Sequence, residues 1–311
     1  MGAQLRVYRR QIKAVGSTKK ITKAMELIAA SRIAKAQSRM KAARPYSYEL
    51  TRALSALGKN ASLKHPLLTG SENPRRSAIL VITADRGLAG GYSSNAIRRA
   101  NELADQLRSD GKEPVLYVIG RKAVTFYRFR QIPVEEAWTG FSEQPNFVNA
   151  REAAQTLVAA LNATSDGSVD GSAGVDELYL VFTRFESMVT QTPVAEQLSP
   201  VSASDLGVDE AKESSESSGP KPAYDFEPEA EELLVTLLPR YISARIFAGL
   251  LESAASESAS RRRAMKSASD NASDLIEMYT RLANQARQAE ITQEISEIVG
   301  GADALAAAGS D

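Results

Sequence analysis

The feature that most limits what this chain can become is the length of the helical runs at its two ends. Residues Ala3 to about Leu57 are rich in Ala, Lys, Arg, Leu and Met and are interrupted only by Gly16 and Pro45. They read as one helix about 80 Å long at 1.5 Å per residue, bent where Pro45 removes a backbone donor. Glu229 to about Gly300 reads as a second helix, roughly 110 Å if unbroken, with Pro239 near its start. Helices of this length are far too long to be stabilised by the surface of a small domain, so the simplest solution is that they pair as an antiparallel coiled coil. Leu275, Met278 and Leu282, then Ile291, Ile295 and Ile298, recur at spacings of three and four and mark the expected contact face. The coiled coil is assigned to 1–58 and 227–301, with Gly300 and Gly301 ending the second helix and 302–311 left as a flexible tail. The second helix outruns the first by about 15 to 20 residues, about 25 Å, so its end projects alone.

Within the first helix the stretch KKITKAMELIAASRI, Lys19 to Ile33, is apolar on too many sides for one docking face. At the helical period Ile21, Met25 and Ile28 share a stripe, whereas Leu27 and Ile33 project elsewhere. Ala24, Ala29 and Ala30 between them allow close backbone approach. Such a helix touches several partners at once.

Between the helices the pattern changes. SAILVITADRG, EPVLYVIG, IPVEEAWTG and DELYLVFTRF read as apolar strands, and SSNAIRRANELADQLRSDG, RKAVTFYRFR and PNFVNAREAAQTLVAALN as the helices separating them. Continuous apolar strands alternating with amphipathic helices predict a mostly parallel sheet covered on both faces. SMVTQTPVAEQLSPV adds an edge or hairpin strand. Residues 77–201 are therefore expected to form an inserted Rossmann-like α/β domain. Asn162–Gly174 reads as a Gly/Ser/Asp loop with nothing to bury, and 202–226 as an acidic linker. In 311 residues this makes about two structural units.

Net charge is zero, but its distribution is uneven. Residues 1–64 carry 15 Lys or Arg against Glu26 and Glu49, while 203–232 carry ten acids against Lys212 and Lys221. With no cysteine, disulfides, thiolate nucleophiles and thiol switching are excluded. The one histidine, His65, sits in the loop-like SLKHPLL and is assigned no role. No stretch reaches the roughly 20 apolar residues that span a bilayer, and the N-terminus lacks a signal peptide's apolar core, so a soluble cytoplasmic chain is expected. ADRGLAGGY lies between a strand and a helix, where phosphate loops sit, but has neither Gly-x-Gly-x-x-Gly nor a Gly-Lys-Ser/Thr ending. Its Gly87, Gly90 and Gly91 read instead as turn and packing residues positioned by Asp85 and Arg86. The basic first helix has a nucleic-acid reading, a basic coiled-coil nucleic-acid-binding protein, but Tyr8, Tyr46 and Tyr48 are too sparse to stack bases. Arg261, Arg262 and Arg263 cannot share one side of a helix, so at least one faces an acidic partner.

Taken together, KKITKAMELIAASRIAKAQ, ARPY, DRGLAGGYSSN, DELYLVF, LLPRY, AMKSASDNASDLI and ARQAEITQEISEIVGGADAL closely resemble the gamma subunit of bacterial F-type ATP synthases, in the same order over essentially the whole chain. The resemblance implies a non-catalytic central rotor shaft without a cofactor. Its terminal helices turn inside a hexamer of alpha and beta subunits, and its α/β domain sits on the membrane c-subunit ring beside the epsilon subunit, at the cytoplasmic face of the cell membrane. By motif, Lys20, Met25 and Arg261 match shaft positions that meet the beta subunit's acidic loop, and Arg287, Gln288 and Thr292 match upper-shaft contacts to the hexamer. No nucleic acid is implied. The chain departs from family patterns in having Ala89 where Cys is common, in lacking the Cys-bearing insert of chloroplast members, and in the length of its 162–174 loop.

Deleting Ser165–Ala173, whose only apolar side chains are Val169 and Ala173, is expected to leave the α/β domain folded. Circular dichroism of the deletion variant checks this, and loss of secondary structure would make the loop structural.

Overall fold

A computed structural model describes residues 2–60, 70–71, 73–163, 174–201 and 230–308. His65, the interior of the 162–174 loop, the 202–226 linker and the last three residues lie outside them. The elements, in order, are α1 (Gly2–Asn60), β1 (Arg76–Ile82), α2 (Tyr92–Ser109), β2 (Glu113–Ile119), α3 (Arg121–Phe129), β3 (Glu136–Trp138), α4 (Phe147–Asn162), β4 (Glu177–Phe185), β5 (Gln191–Ser199) and α5 (Ala230–Ala308). The chain divides into two compact units, Met1–Ile28 with Arg262–Asp311, and Ala29–Arg261.

In the second unit five strands form one sheet in the order β3-β2-β1-β4-β5. The first four are parallel, and β5 closes one edge antiparallel to β4, in agreement with the α/β pattern and the edge strand predicted. Both faces are covered because the strands are apolar on both sides. Ile79 and Val81 of β1 and Val118 of β2 meet Ile97 and Leu103 of α2 and Tyr127 of α3. The other face, with Leu80, Ile82, Leu178 and Leu180, meets α4 through Ala150, Ala154 and Leu157. It also meets Leu50 and Leu54 of α1 and Leu238, Ile242, Ile246 and Leu250 of α5. Helix α4 starts at a reciprocal capping box, in which the Asn146 side chain accepts from the Asn149 N–H and the Asn149 side chain from the Asn146 N–H.

Parts of both terminal helices are therefore core elements of the sheet-bearing unit. From Tyr241 to Arg261 nearly every α5 residue is buried or half-buried. Gly249 is what lets this helix approach β4 so closely: a Cβ there would lie 2.9 Å from Leu180 Cδ2 and 3.4 Å from Phe182 Cγ. Helix α1 continues through Gly16 and Pro45 without a break. Packing of Leu50 and Leu54 below Pro45, and the edge contact of Tyr46 with Phe147, offset a local propensity cost of about 3 kcal/mol.

In the first unit α1 and α5 run antiparallel. Thr22 Oγ1 lies 2.7 Å from Ser269 Oγ, and the Tyr8 ring is 6.4 Å from that of Tyr279. The seam is not the one read from the sequence. Leu275 and Met278 are 41% and 37% exposed, and the inward positions of α5 are Met265, Ser269, Ala272, Ile276, Tyr279 and Ala283, spaced by four and three. On α1 the matching inward set is Leu5, Tyr8, Ile12, Val15, Thr22 and Glu26. The seam mixes small side chains, Thr22, Ser269, Ala272 and Ala283, with larger ones such as Tyr8, Ile12, Met265, Ile276 and Tyr279. Nor does α5 stop at Gly300 and Gly301. Neither glycine adopts the positive φ that ends a helix, and the following Ala-rich ADALAAA favours helix, so α5 continues to Ala308.

Gly249→Val is expected to destabilise the purified chain by about 1–3 kcal/mol through overpacking against Leu180 and Phe182. A denaturant melt followed by circular dichroism measures it, and an unchanged midpoint would show that β4 can yield.

Candidate functional site

Among the described residues no group of His, Asp or Glu is placed to hold a metal ion, and no helix is long and apolar enough to cross a membrane. What the chain presents is surface. In the first unit Lys20, Arg287, Gln288 and Thr292 are exposed and Met25 is half-buried. The Thr292 hydroxyl donates to the Gln288 carbonyl one turn earlier at 2.9 Å, leaving both side chains on the open helix surface. Around the same helix pair large apolar groups are left bare. Ile21, Leu27 and Ile28 of α1 are 61%, 63% and 53% exposed, and every residue from Ile291 to Ala302 is exposed. At about 100° per residue Ile21 and Ile28 point away from the seam and Leu27 to one side of it. The stripe of Ile291, Ile295, Ile298 and Val299 lies about 120° round α5 from its seam. These side chains are therefore not unused seam positions.

Arg261 behaves differently from the other five residues singled out in the sequence. It belongs to the sheet-bearing unit, its side chain is 5% exposed, and its acidic neighbours lie in this chain. Its Nη2 donates to Glu257 Oε1 at 2.7 Å, one turn earlier on α5. The same Nη2 lies 3.3 Å from the Gly87 carbonyl and 3.4 Å from that of Arg86. Its Nη1 stands 3.2 Å from Glu143 Oε1, an ionic contact without hydrogen-bond geometry. Arg32 of α1 donates to the other Glu143 oxygen, with Arg86 3.8 Å away. Burial pushes the Glu257 carboxyl above its ordinary range, although Arg261 opposes this and nearby Glu143 adds to it. Burial, then the charge of Glu257, likewise pushes the Tyr92 hydroxyl up. Glu143, in the loop between β3 and α4, carried no sequence signal, and pairing it with Arg32 requires contact across 111 residues.

The glycine loop is the frame of this cluster. Asp85 Oδ2 accepts from the N–H of Gly140 at 2.8 Å and of Ser142 at 3.0 Å, and Oδ1 from the Arg121 N–H at 3.2 Å. The Asp85 N–H in turn donates to Ser142 Oγ at 2.9 Å. Burial works to raise the Asp85 pKa, but these backbone donors outweigh it and hold the carboxyl below its ordinary value. Of the loop glycines only Gly90 takes a positive φ, 56°, and the other positive φ belongs to Leu88. Gly87 and Gly91 have ordinary backbone angles. The Ala84 N–H donates to Ser93 Oγ, that of Tyr92 to the Ala89 carbonyl and that of Asp85 to Ser142, and the Arg86 and Gly87 carbonyls lie toward Arg261, so the loop serves as a strut.

A family model described as ATP synthase matches residues 4–305. The ATP synthase gamma chain of Salinispora arenicola (strain CNS-205) is 59% identical over 316 residues, covering 100% of both chains. That of Mycolicibacterium smegmatis is 56% identical over 311 residues, covering 98% of this chain and 99% of the other. In fold the chain is similar to one from the cryo-EM structure of the Euglena gracilis mitochondrial ATP synthase (OSCP/F1/c-ring, rotational state 3), with a TM-score of 0.66 at 16% identity, covering 100% of this chain and 97% of that one. It is also similar to one from the central stalk and c-ring of the Tetrahymena thermophila mitochondrial ATP synthase, with a TM-score of 0.56 at 23% identity over 80% and 99% of the two chains.

Asp85→Asn is expected to cost about 2 kcal/mol at neutral pH, because charged acceptors make the stronger hydrogen bonds. A lowered folded pKa contributes stability that is present above the unfolded value, near 4, and is lost as pH falls through the folded value. Melting curves of both proteins from pH 7 to pH 3 should therefore converge toward the acid end. A gap that does not narrow would show that shape, not charge, holds the strut.

Proposed function

The chain belongs to the ATP synthase gamma-chain family, and from that membership we propose that it is the central rotor shaft of a bacterial F-type ATP synthase. Its helix pair turns inside the hexamer of alpha and beta subunits, and its sheet-bearing unit rides on the membrane c-subunit ring beside the epsilon subunit. Proton flow turns ring and shaft together. Each orientation of the asymmetric shaft favours one state of each beta-subunit site by differential contact, so coupling is a mechanical population shift. No bond is made or broken on this chain. It is a non-catalytic subunit, peripheral at the cytoplasmic face of the cell membrane.

The observation that supports this reading best is the exposure of Ile21, Leu27, Ile28, Ile291, Ile295 and Ile298, all at least 46% exposed. Large apolar side chains bared on several sides of one helix pair need a sleeve, not a single docking partner. Lys20, Met25, Arg287, Gln288 and Thr292 are the proposed contacts to that sleeve, placed on its surface or half-buried beside the seam. Arg261 joins them through the helix it anchors.

Reconstitution with alpha and beta subunits tests the proposal. The chain should restore coupled turnover, and truncation after Val299 should keep assembly and most ATP hydrolysis. Truncation before Arg287 should also remove the proposed hexamer contacts and lower coupled synthesis. Loss of all hydrolysis from the shorter deletion would contradict a guiding role for the tip. Steeply salt-dependent binding of nucleic acid by the purified chain would favour the basic coiled-coil alternative.

A further inference from the structure

We infer that Glu143 is a torsion-bearing positioning residue, the carboxylate through which the sheet-bearing unit grips both of its long helices against twist. The inference rests on the rotor reading and adds to it a residue outside the shaft helices.

Those helices present mostly small side chains where they need a grip. Apart from Ile33, the inward positions of α1 near the end of this unit are Ala29, Ala36 and Ala43, and beyond Leu251 the buried α5 positions are Ser253, Ala254, Ala255, Ser256, Ser258 and Ala259, of which Ser253 and Ser256 bond to Thr183 of β4. Burial of such short side chains favours contact but has little directional preference, so it resists separation far better than it resists sliding or rotation. Charged hydrogen bonds, in contrast, fix direction as well as distance. At this level one carboxylate reaches both helices, by a charged hydrogen bond on α1 and an ion pair on α5. Glu143 accepts from Arg32 of α1 with one oxygen and meets Arg261 of α5 at 3.2 Å with the other, and its side chain is only 14% exposed. Arg261 is in turn tied down by Glu257 at 2.7 Å.

A grip also needs an anchor that does not move. The backbone on which Glu143 sits is fixed by the preceding Gly140 and Ser142 N–H groups, both held by Asp85 at the end of β1. The chain of contacts therefore runs from the central strand of the sheet through Asp85, the 140–143 loop and Glu143 to both helices. Arg261 is the last residue of this unit and Arg32 lies within its first turn, so the grip is placed where the helices leave the unit. In a partly desolvated site such pairs are stronger than on the surface, and removing one partner leaves the other charges buried and unmatched.

The test uses the whole complex in sealed vesicles, comparing the unsubstituted chain with E143Q and E143D and reading chain content, ATP hydrolysis and protons pumped per ATP. Without an opposing gradient E143Q should pump nearly as well per ATP as the unsubstituted chain. Against a rising proton gradient its yield should fall roughly twofold or more, while E143D, which keeps the charge, restores most of it. A defect in folding or assembly would lower hydrolysis and pumping together at every gradient and would not be load-dependent. An E143Q yield that stays equal to the unsubstituted one under load overturns the inference, as does failure of both variants to assemble. Failure of the unsubstituted chain itself to support pumping would instead count against the rotor reading.

Discussion

Everything in this chain depends on burying the α5 segment from Tyr241 to Arg261 on two sides at once. One side lies on β4 and β1 through Ile242, Ile246, Gly249 and Leu250, and the other faces α1. A helix in that position must be apolar or small nearly all round, and its sequence is, with Leu, Ile and Ala interleaved with Ser253, Ser256 and Ser258. Two of these buried serines bond to β4: Ser256 donates to Thr183 O at 3.0 Å, and Ser253 Oγ accepts from the Thr183 N–H at 3.2 Å. The sheet's own helices cover only part of one face, so the terminal helices complete that core, and a domain without them would uncover Leu180 and Phe182 where α5 packs at Gly249.

The same economy of side-chain size separates two kinds of surface. Where α1 and α5 meet in the first unit, Thr22, Ser269, Ala272 and Ala283 share the seam with Tyr8, Ile276 and Tyr279, and further large apolar residues point away from it. In the first unit this leaves Ile21, Leu27, Ile28 and the Ile291–Val299 stripe in water, at a cost of about 25 cal/mol for each Å² of apolar surface. An isolated chain gains nothing from that arrangement. A chain enclosed by partners recovers the cost on assembly, which is why exposure that would be a liability in a monomer is consistent with an axle.

Electrostatics divide along similar lines. Among the described residues the basic side chains of α1 are mostly exposed, whereas Arg32 and Arg261 are drawn inward by Glu143 and Glu257. The second group is the costly one, since each buried charge must be matched. The raised Glu257 carboxyl shows that burial outweighs its arginine partner. Such a cluster persists because it specifies geometry, holding two smooth helices in one rotational setting on the sheet.

The strands, their order of appearance, the covered faces of the sheet and the pairing of the terminal helices were legible in the sequence alone, because apolar runs and helical periods are local signals that need no partner. The family motifs were legible for the same reason, being contiguous. The identity of the seam was not. Ser269, Ala272 and Ala283 give weaker hydrophobic contrast than Leu275 and Met278, and only the packing of the two helices turns the small residues inward and leaves the larger pair exposed. The continuation of α5 past Gly300 depended on backbone angles that glycine leaves open. The inward turn of Arg261 depended on Glu143 and on the glycine loop, which stand more than a hundred residues away along the chain. Periodicity and composition thus decide which segments become helices and strands, whereas the partner of a charge or a small side chain is settled only when distant segments fold together, because an arginine has no preferred direction until a carboxylate is placed beside it.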